Sequence, residues 1–175
     1  MKLIQRALTK EETLSLHQTI KESKHIISFP PEKWLSFQNV YIAENNQGNF
    51  VGACIISRTG PYYKLGPLAI IKEHQGKSYG KKIIEKIIKK YPQRKYVVGS
   101  SNPKVVSIVD HFGFKKVKHR QIFLSIGLYL FKYFLSVMSV SYLIEAIKKN
   151  LLQKRGKYRI FLKEEENNHS NHEFY

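Results

Sequence analysis

Between Tyr79 and Lys90, isoleucines recur at helical spacing (Ile83, Ile84, Ile87, Ile88), with Lys81, Lys82, Lys86, Lys89 and Lys90 between them. One face of such a helix is apolar and the rest is solvated. Elsewhere the chain switches repeatedly between this period and the alternation of strands. "KLIQRAL" predicts a strand over Lys2–Leu8, followed by a helix in "TKEETLSLHQTIKES" with Thr9 as N-cap and Glu12 at the capping-box position. "PPEKWLSFQ" begins a second helix, with Pro31 suited to its first turn. "VYIAENNQGNFVGACIIS" reads as a hairpin, and "YYKLGPLAII" as a strand interrupted by a bulge or splayed end at Gly66 and Pro67. Beyond the basic helix, "KYVVGSS" is a buried strand and "NPKVVSIVDHFGF" a helix closed by Gly113, while "KKVKHRQ" leads into another strand. Helices alternating with strands around a mixed sheet make this one α/β (α+β) domain over residues 1–163, with a disordered polar tail at 164–175.

The segment ahead of the basic helix, "EHQGKSYGK", combines small residues with lysines. A helix N-terminus presents about four backbone N–H groups without internal acceptors, and small residues let a bulky anion reach them. Composition points the same way. The chain has 30 Lys and Arg against 13 Asp and Glu, a formal charge of +17, which favours an anionic partner: nucleic acid, anionic lipid or a phosphorylated cofactor. Nucleic acid has only the charge to support it, since no RNA- or DNA-binding motif is recognisable. A single cysteine excludes an internal disulfide, and the chain opens without a signal-peptide pattern, so a cytoplasmic location is expected.

Two blocks carry a family resemblance. "LGPLAIIKEHQGKSYGKKIIEKIIKKY" resembles the acetyl-CoA-binding motif of the GNAT N-acetyltransferase superfamily: Gln or Arg, two residues, Gly, one residue, then Gly or Ala. That register falls on Gln75, Ser78 and Gly80, so Ser78 takes the first glycine position. "NPKVVSIVDHFGFKKV" resembles the second block of the family, in which an asparagine opens a helix ending in Gly-Phe. The resemblance implies the GNAT fold, a mixed and mostly antiparallel sheet flanked by helices. It also implies acetyl-CoA, or another acyl-CoA, as cofactor without a metal. The implied binding residues are Leu68, Ala69, Ile70, Gln75, Gly76, Lys77, Ser78, Tyr79, Gly80, Lys81 and Asn102. The pyrophosphate would rest on the amides from Gly76 to Lys81, with Lys77 and Lys81 as added charges. Main-chain groups of Leu68, Ala69 and Ile70 would meet the pantetheine arm, and the Ile70 amide would polarise the thioester carbonyl.

The implied chemistry is acetyl transfer to an amine by direct attack in a ternary complex. Such transfer needs a base or ordered water for the amine, a donor to the oxyanion and an acid for the thiolate. The tyrosine that often serves as acid in the family corresponds to Val109, which cannot donate a proton. His111 is two residues along and roughly 200° around the helix, a candidate from another face. "GPYYKLGPLAII" holds no carboxylate, which leaves Glu44 in "VYIAE" as the nearest strand carboxylate for a base. Tyr62 and Tyr63 read as packing. Cys54 is open as an acyl acceptor but alternates like a small core residue. Positioning, with solvent taking the proton, is the default. The alternative is a catalytically silent acyl-CoA sensor, or a basic nucleic-acid- or membrane-associated module, on the same fold.

A helical insertion at about 121–154 separates the second block from "KYRIFLKE", which reads as the last strand. Its segment Ile122–Ile144 is long and apolar enough to span a bilayer, with Lys132 its only charge. Three features argue against a span. Lys132 would sit in hydrocarbon, Ser125, Lys132, Ser136 and Ser139 share a stripe, and a span would strand the last strand across the membrane. The polar positions shift beyond Ser141, predicting a bend into a second helix that ends near "NLLQKRGK". By the resemblance this insertion lines or covers the acceptor pocket. A homodimer contact and a peripheral contact with anionic membrane both stay open for it.

Overall fold

A computed structural model describes residues 1–27, 29–117, 127–138, 140–151 and 156–164. In chain order the elements are β1 (Lys2–Gln5), α1 (Lys10–Glu22), α2 (Pro31–Leu35), β2 (Val40–Glu44), β3 (Phe50–Thr59), β4 (Tyr62–Ile70), a short 3₁₀ turn (Lys72–His74), α3 (Tyr79–Lys90), β5 (Tyr96–Ser100), α4 (Pro103–His111), β6 (Lys115–Lys116), α5 (Gly127–Val137), α6 (Val140–Leu151) and β7 (Arg159–Lys163). Among the described residues, seven strands form one sheet in the order β1-β2-β3-β4-β5-β7-β6. Only β4 and β5 run parallel; every other pair is antiparallel.

The start and stop signals act as the sequence indicates. Glu12 N–H donates to Thr9 Oγ1 and Thr9 N–H donates to Glu12 Oε2, so the capping box at α1 is closed in both directions. Gly113 follows α4 at φ 75°, the left-handed conformation a C′ residue supplies. The strand at the N-terminus ends at Gln5, short of Leu8, because Arg6 turns to pair with Glu12 at 2.6 Å.

The sheet is covered on both faces. Ile83, Ile84 and Ile87 of α3 and Val109 of α4 pack against Val51, Cys54, Ile56, Leu65 and Val98. On the other face, Leu16 and Ile20 of α1 and Trp34 of α2 pack against Val40, Ile42, Ala53, Ile55 and Ala69. Successive residues of β2 and β3 thus serve opposite layers, which the two-residue period requires. Cys54 belongs to the α3 layer and is fully buried.

Two consequences touch the expectations. Glu164, expected as the first residue of the polar tail, is anchored: the Tyr62 hydroxyl donates to its Oε1 at 2.6 Å and Lys95 lies 3.1 Å from Oε2. Residues 165–175 lie outside the described residues. The described part of the insertion holds two helices, α5 ending at Val137 and α6 beginning at Val140, just ahead of the polar shift expected beyond Ser141, and no helix among the described residues is long and apolar enough to cross a membrane. Lys132 is exposed.

Candidate functional site

The parallel ladder between β4 and β5 is short. It pairs Tyr63 with Tyr96 and Lys64 with Val97, then stops as β4 reaches Gly66 and Pro67, and β5 diverges. The β3–β4 register shifts at the same level, between Cys54 and Ile56. Beyond the break β4 stays paired with β3 alone, through Cys54–Leu68, Ala53–Ala69 and Gly52–Ile70. Ile71 N–H donates to Val51 O at 3.0 Å. By the alternation of an antiparallel ladder, the peptide groups of Ala69 then turn toward β3, while those of Leu68 and Ile70 turn into the gap left by β5. Gln75 Nε2 donates to Ile70 O at 2.9 Å and ties the following loop to this edge. Leu68 and Ile70 therefore offer main-chain polar groups to a ligand, and Ala69 contributes wall.

The gap continues into a cavity of about 950 Å³ that runs over the start of α3. Its wall includes Leu68, Ala69 and Ile70 of β4; Gln75, Gly76, Ser78, Tyr79, Gly80 and Lys81 of the loop and helix; and Asn102 at the start of α4. Every cofactor residue expected from sequence is there except Lys77, which is exposed beside it. Asn102 has a structural task as well, because its Oδ1 accepts Lys104 N–H at 2.9 Å as the N-cap of α4.

The N-terminus of α3 is open to the cavity. Ser78 stands at the N-cap but its side chain caps nothing, which leaves the first amides of the helix without a side-chain acceptor. Gly76 adopts φ 79°, and a Cβ there meets nothing within 4 Å, so the loop is open to a bulky group. A Cβ at Gly80 meets only Leu68 Cδ2 at 3.7 Å and Ile70 Cγ1 at 4.0 Å. Lys24, Lys72, Lys81 and Lys104 line the same cavity, whose one carboxylate, Glu22, is paired with Lys72 at 3.1 Å. His74 Nδ1 is enclosed without a protein partner, with its ring set edge-on to Tyr79 at 5.8 Å. Open backbone amides, a positive rim and an orphaned ring nitrogen fit the pyrophosphate end of a coenzyme A.

Ser78 holds φ 60°, a left-handed conformation that costs a non-glycine residue about 1–2 kcal/mol. That conformation is the physical reason for a glycine at this motif position. Ser78→Gly is expected to raise stability by up to about 1 kcal/mol, the strain relief being partly offset by unfolded-chain entropy. Urea denaturation of the two proteins measures the difference.

The catalytic candidates from sequence are placed away from this cavity. Glu44 ends β2, two strands from β4, and its carboxylate faces Arg6 at 3.5 Å. His111 is exposed at the end of α4 with its ring edge-on to Phe112 at 5.1 Å. Neither lines the wall. Val109 is fully buried in the α3 layer, so its position directs a side chain into the core. The structure instead brings in His25, on the connection between α1 and α2, which lines the cavity with Nδ1 3.4 Å from Ser101 Oγ. Nothing in the spacing of "KESKHIISF" marks His25, since only the tertiary fold carries this loop to the end of β5.

Cys54 is closed off from this chemistry. Burial pushes its thiol up to about 12, against smaller opposing effects of Lys64 and the Gly66 backbone. A thiol of that kind is not a nucleophile near neutrality. The folded chain is expected not to react with a thiol reagent at about pH 8, and to react once denatured; mass spectrometry of labelled protein checks both.

Residues 36–116 match the family model of the acetyltransferase (GNAT) domain. No curated protein matches the chain by sequence. Several solved structures are similar in fold. Rv2747 of Mycobacterium tuberculosis, solved in complex with CoA, has 13% identity and a TM-score of 0.62, with 91% of this chain and 97% of that one covered. The spermidine N-acetyltransferase SpeG of Vibrio cholerae has 18% identity and a TM-score of 0.52 over 67% of this chain and 81% of that one. A GNAT superfamily phosphinothricin acetyltransferase of Sinorhizobium meliloti, in complex with acetyl-CoA, has 15% identity and a TM-score of 0.53 over 67% and 77%.

Proposed function

The chain carries a GNAT acetyltransferase domain, and on that premise we propose that it transfers an acetyl group from acetyl-CoA to an amine by direct attack within a ternary complex. The observation that carries this reading is the uncapped N-terminus of α3, opening onto a cavity that continues along the free edge of β4. An acyl-CoA bound there supplies a thioester carbonyl as acyl donor. The chain's own tasks follow from the geometry. The amides at the start of α3 and Lys81 hold the pyrophosphate, while the peptide groups of Leu68 and the Ile70 amide, which turn away from β3, hold the extended arm and orient the carbonyl. An amide of that edge is the donor to the carbonyl oxygen as negative charge develops there.

As the amine nitrogen bonds to the carbonyl carbon and the carbon–sulfur bond breaks, the amine gives up a proton and the thiolate gains one. Of the two histidines on the cavity wall, His74 lies beside Tyr79 at the pyrophosphate end, and His25 is the one assigned here to accept the amine's proton. Ser101, 3.4 Å away, holds the ring in place. With Cys54 buried and its thiol protonated, no acyl-enzyme step is part of the scheme. An amine as acceptor is in keeping with the fold neighbours, which include a spermidine N-acetyltransferase and a ribosomal-protein-S18-alanine N-acetyltransferase.

One observation favours a second reading. Val109 stands where the family often has its acid and is buried in the core, so no side chain from that position protonates the thiolate. A silent acyl-CoA-binding protein would have this feature. Calorimetric titration with acetyl-CoA, paired with thiol release across a panel of amines, separates the two: an enzyme binds and releases thiol in an amine-dependent way, and a sensor only binds.

A further inference from the structure

The second inserted helix, α6, is oriented against the usual rule. In α6 a polar pair turns inward: Lys149 is fully buried, donating from Nζ to Ile20 O at 2.8 Å and Ile26 O at 2.6 Å, with Glu145 at 3.1 Å. Tyr142 stacks on Phe29 at 5.5 Å on the same inner side. These contacts fix the rotation of the helix, and they leave Leu143, Ile144, Ile147 and Leu151 outward. Ile144 is 61% exposed, Ile147 58% and Leu151 73%. At 100° per residue these outward side chains span one continuous stripe, bordered by exposed Lys148. In α5, Leu128, Phe131 and Leu135 share a second exposed stripe with Lys132 at its edge.

Of the twelve large apolar side chains exposed among the described residues, nine belong to this short stretch from Leu128 to Leu151. Scattered exposed leucines need no explanation, but two apolar stripes on consecutive helices do. Neither helix is long and apolar enough to cross a bilayer. The charge of the chain selects among occupants. A second copy, of the same net charge of +17, would set the Lys132 and Lys148 of one face against those of the other, whereas an anionic lipid surface complements them.

We propose that the outward faces of α5 and α6 dock on an anionic membrane surface, with Leu128, Phe131, Leu135, Ile144, Ile147 and Leu151 entering the boundary between headgroups and acyl chains. Lys132 and Lys148 keep their stems along the apolar layer and their ammonium groups among the lipid phosphates. The buried Lys149 acts as the clasp that sets this rotation. Because it grips the carbonyls of Ile20 and Ile26, which line the cavity, docking places the cavity beside the lipid surface. The inference rests on the surface alone and stands whether or not the chain transfers acetyl groups.

The test uses the full chain with vesicles of phosphatidylcholine alone, and of phosphatidylcholine with about a third phosphatidylglycerol, at low and high salt. The expected result is co-sedimentation with the anionic vesicles only, weakened at high salt, and at least tenfold weaker for the double variant Ile144→Glu, Ile147→Glu. A Leu151→Trp reporter keeps the measurement independent of how the double variant folds. The chain's one tryptophan, Trp34, is fully buried, so a blue shift on adding anionic vesicles belongs to the new residue. No binding to either vesicle overturns the proposal. So does binding that the double variant leaves unchanged, which would be attraction by charge alone. A dimer in the absence of lipid that the double variant dissociates also overturns it, because a second copy would then cover the stripes.

Discussion

Gly80→Glu is expected to lower the affinity for acetyl-CoA by at least about 100-fold while leaving the fold intact. The substitution puts a carboxylate where the first amides of α3 and Lys81 would meet a pyrophosphate, replacing an attraction by a like-charge repulsion inside a partly enclosed groove. A fold defect is not the cause, since a Cβ at position 80 meets Leu68 and Ile70 only at ordinary contact distance. Gly80→Ala is the matching control and should bind within a few-fold of the parent. Calorimetry on the three proteins, with far-UV circular dichroism as the fold check, gives the comparison. Equal affinity in a folded Gly80→Glu protein would remove the cradle from the account.

His25→Ala is expected to lower kcat for acetyl transfer by roughly 100-fold or more, the scale of one positioned acid or base, with the affinity for acetyl-CoA little changed. Glu44→Gln and His111→Ala should leave kcat near the parent value, since one carboxylate faces Arg6 and the other group stands outside the cavity wall. A His25→Ala enzyme with unchanged kcat would assign the amine's proton to solvent.

The cofactor side of the site was legible because it is local. Helix starts, small residues at fixed offsets and a strand that breaks at Gly66 and Pro67 are properties of contiguous sequence, and Leu68 to Lys81 carries nearly the whole cradle. The left-handed Ser78 was hidden only in its cost, since an identity shows the departure from glycine without the φ angle that makes glycine matter. The acceptor side was not legible. His25 and Ser101 lie far apart in the chain and meet through the packing of α1 against the sheet, which no periodicity encodes. Glu44 drew attention as a strand carboxylate, but a strand pattern does not reveal that Arg6 will claim it.

The insertion shows the same divide. Its division into two helices followed from the shift of polar positions beyond Ser141, and the exposed Lys132 agrees with the stripe it belongs to. The family resemblance implied an insertion that lines or covers the acceptor pocket. Among the described residues, no side chain of α5 or α6 lines the cavity, and the link to it runs through Lys149 and the loop it holds. A buried lysine with three oxygen partners can outweigh the burial of an aliphatic stripe, because leaving those partners unpaired costs more than exposing a few side chains.

Thiol release from acetyl-CoA, followed across amines that range from polyamines to peptide N-termini, tests the central claim most directly. The account requires release that depends on an amine, saturates in both substrates and disappears in Gly80→Glu. Tight binding of acetyl-CoA by the parent protein with no release for any amine would contradict it.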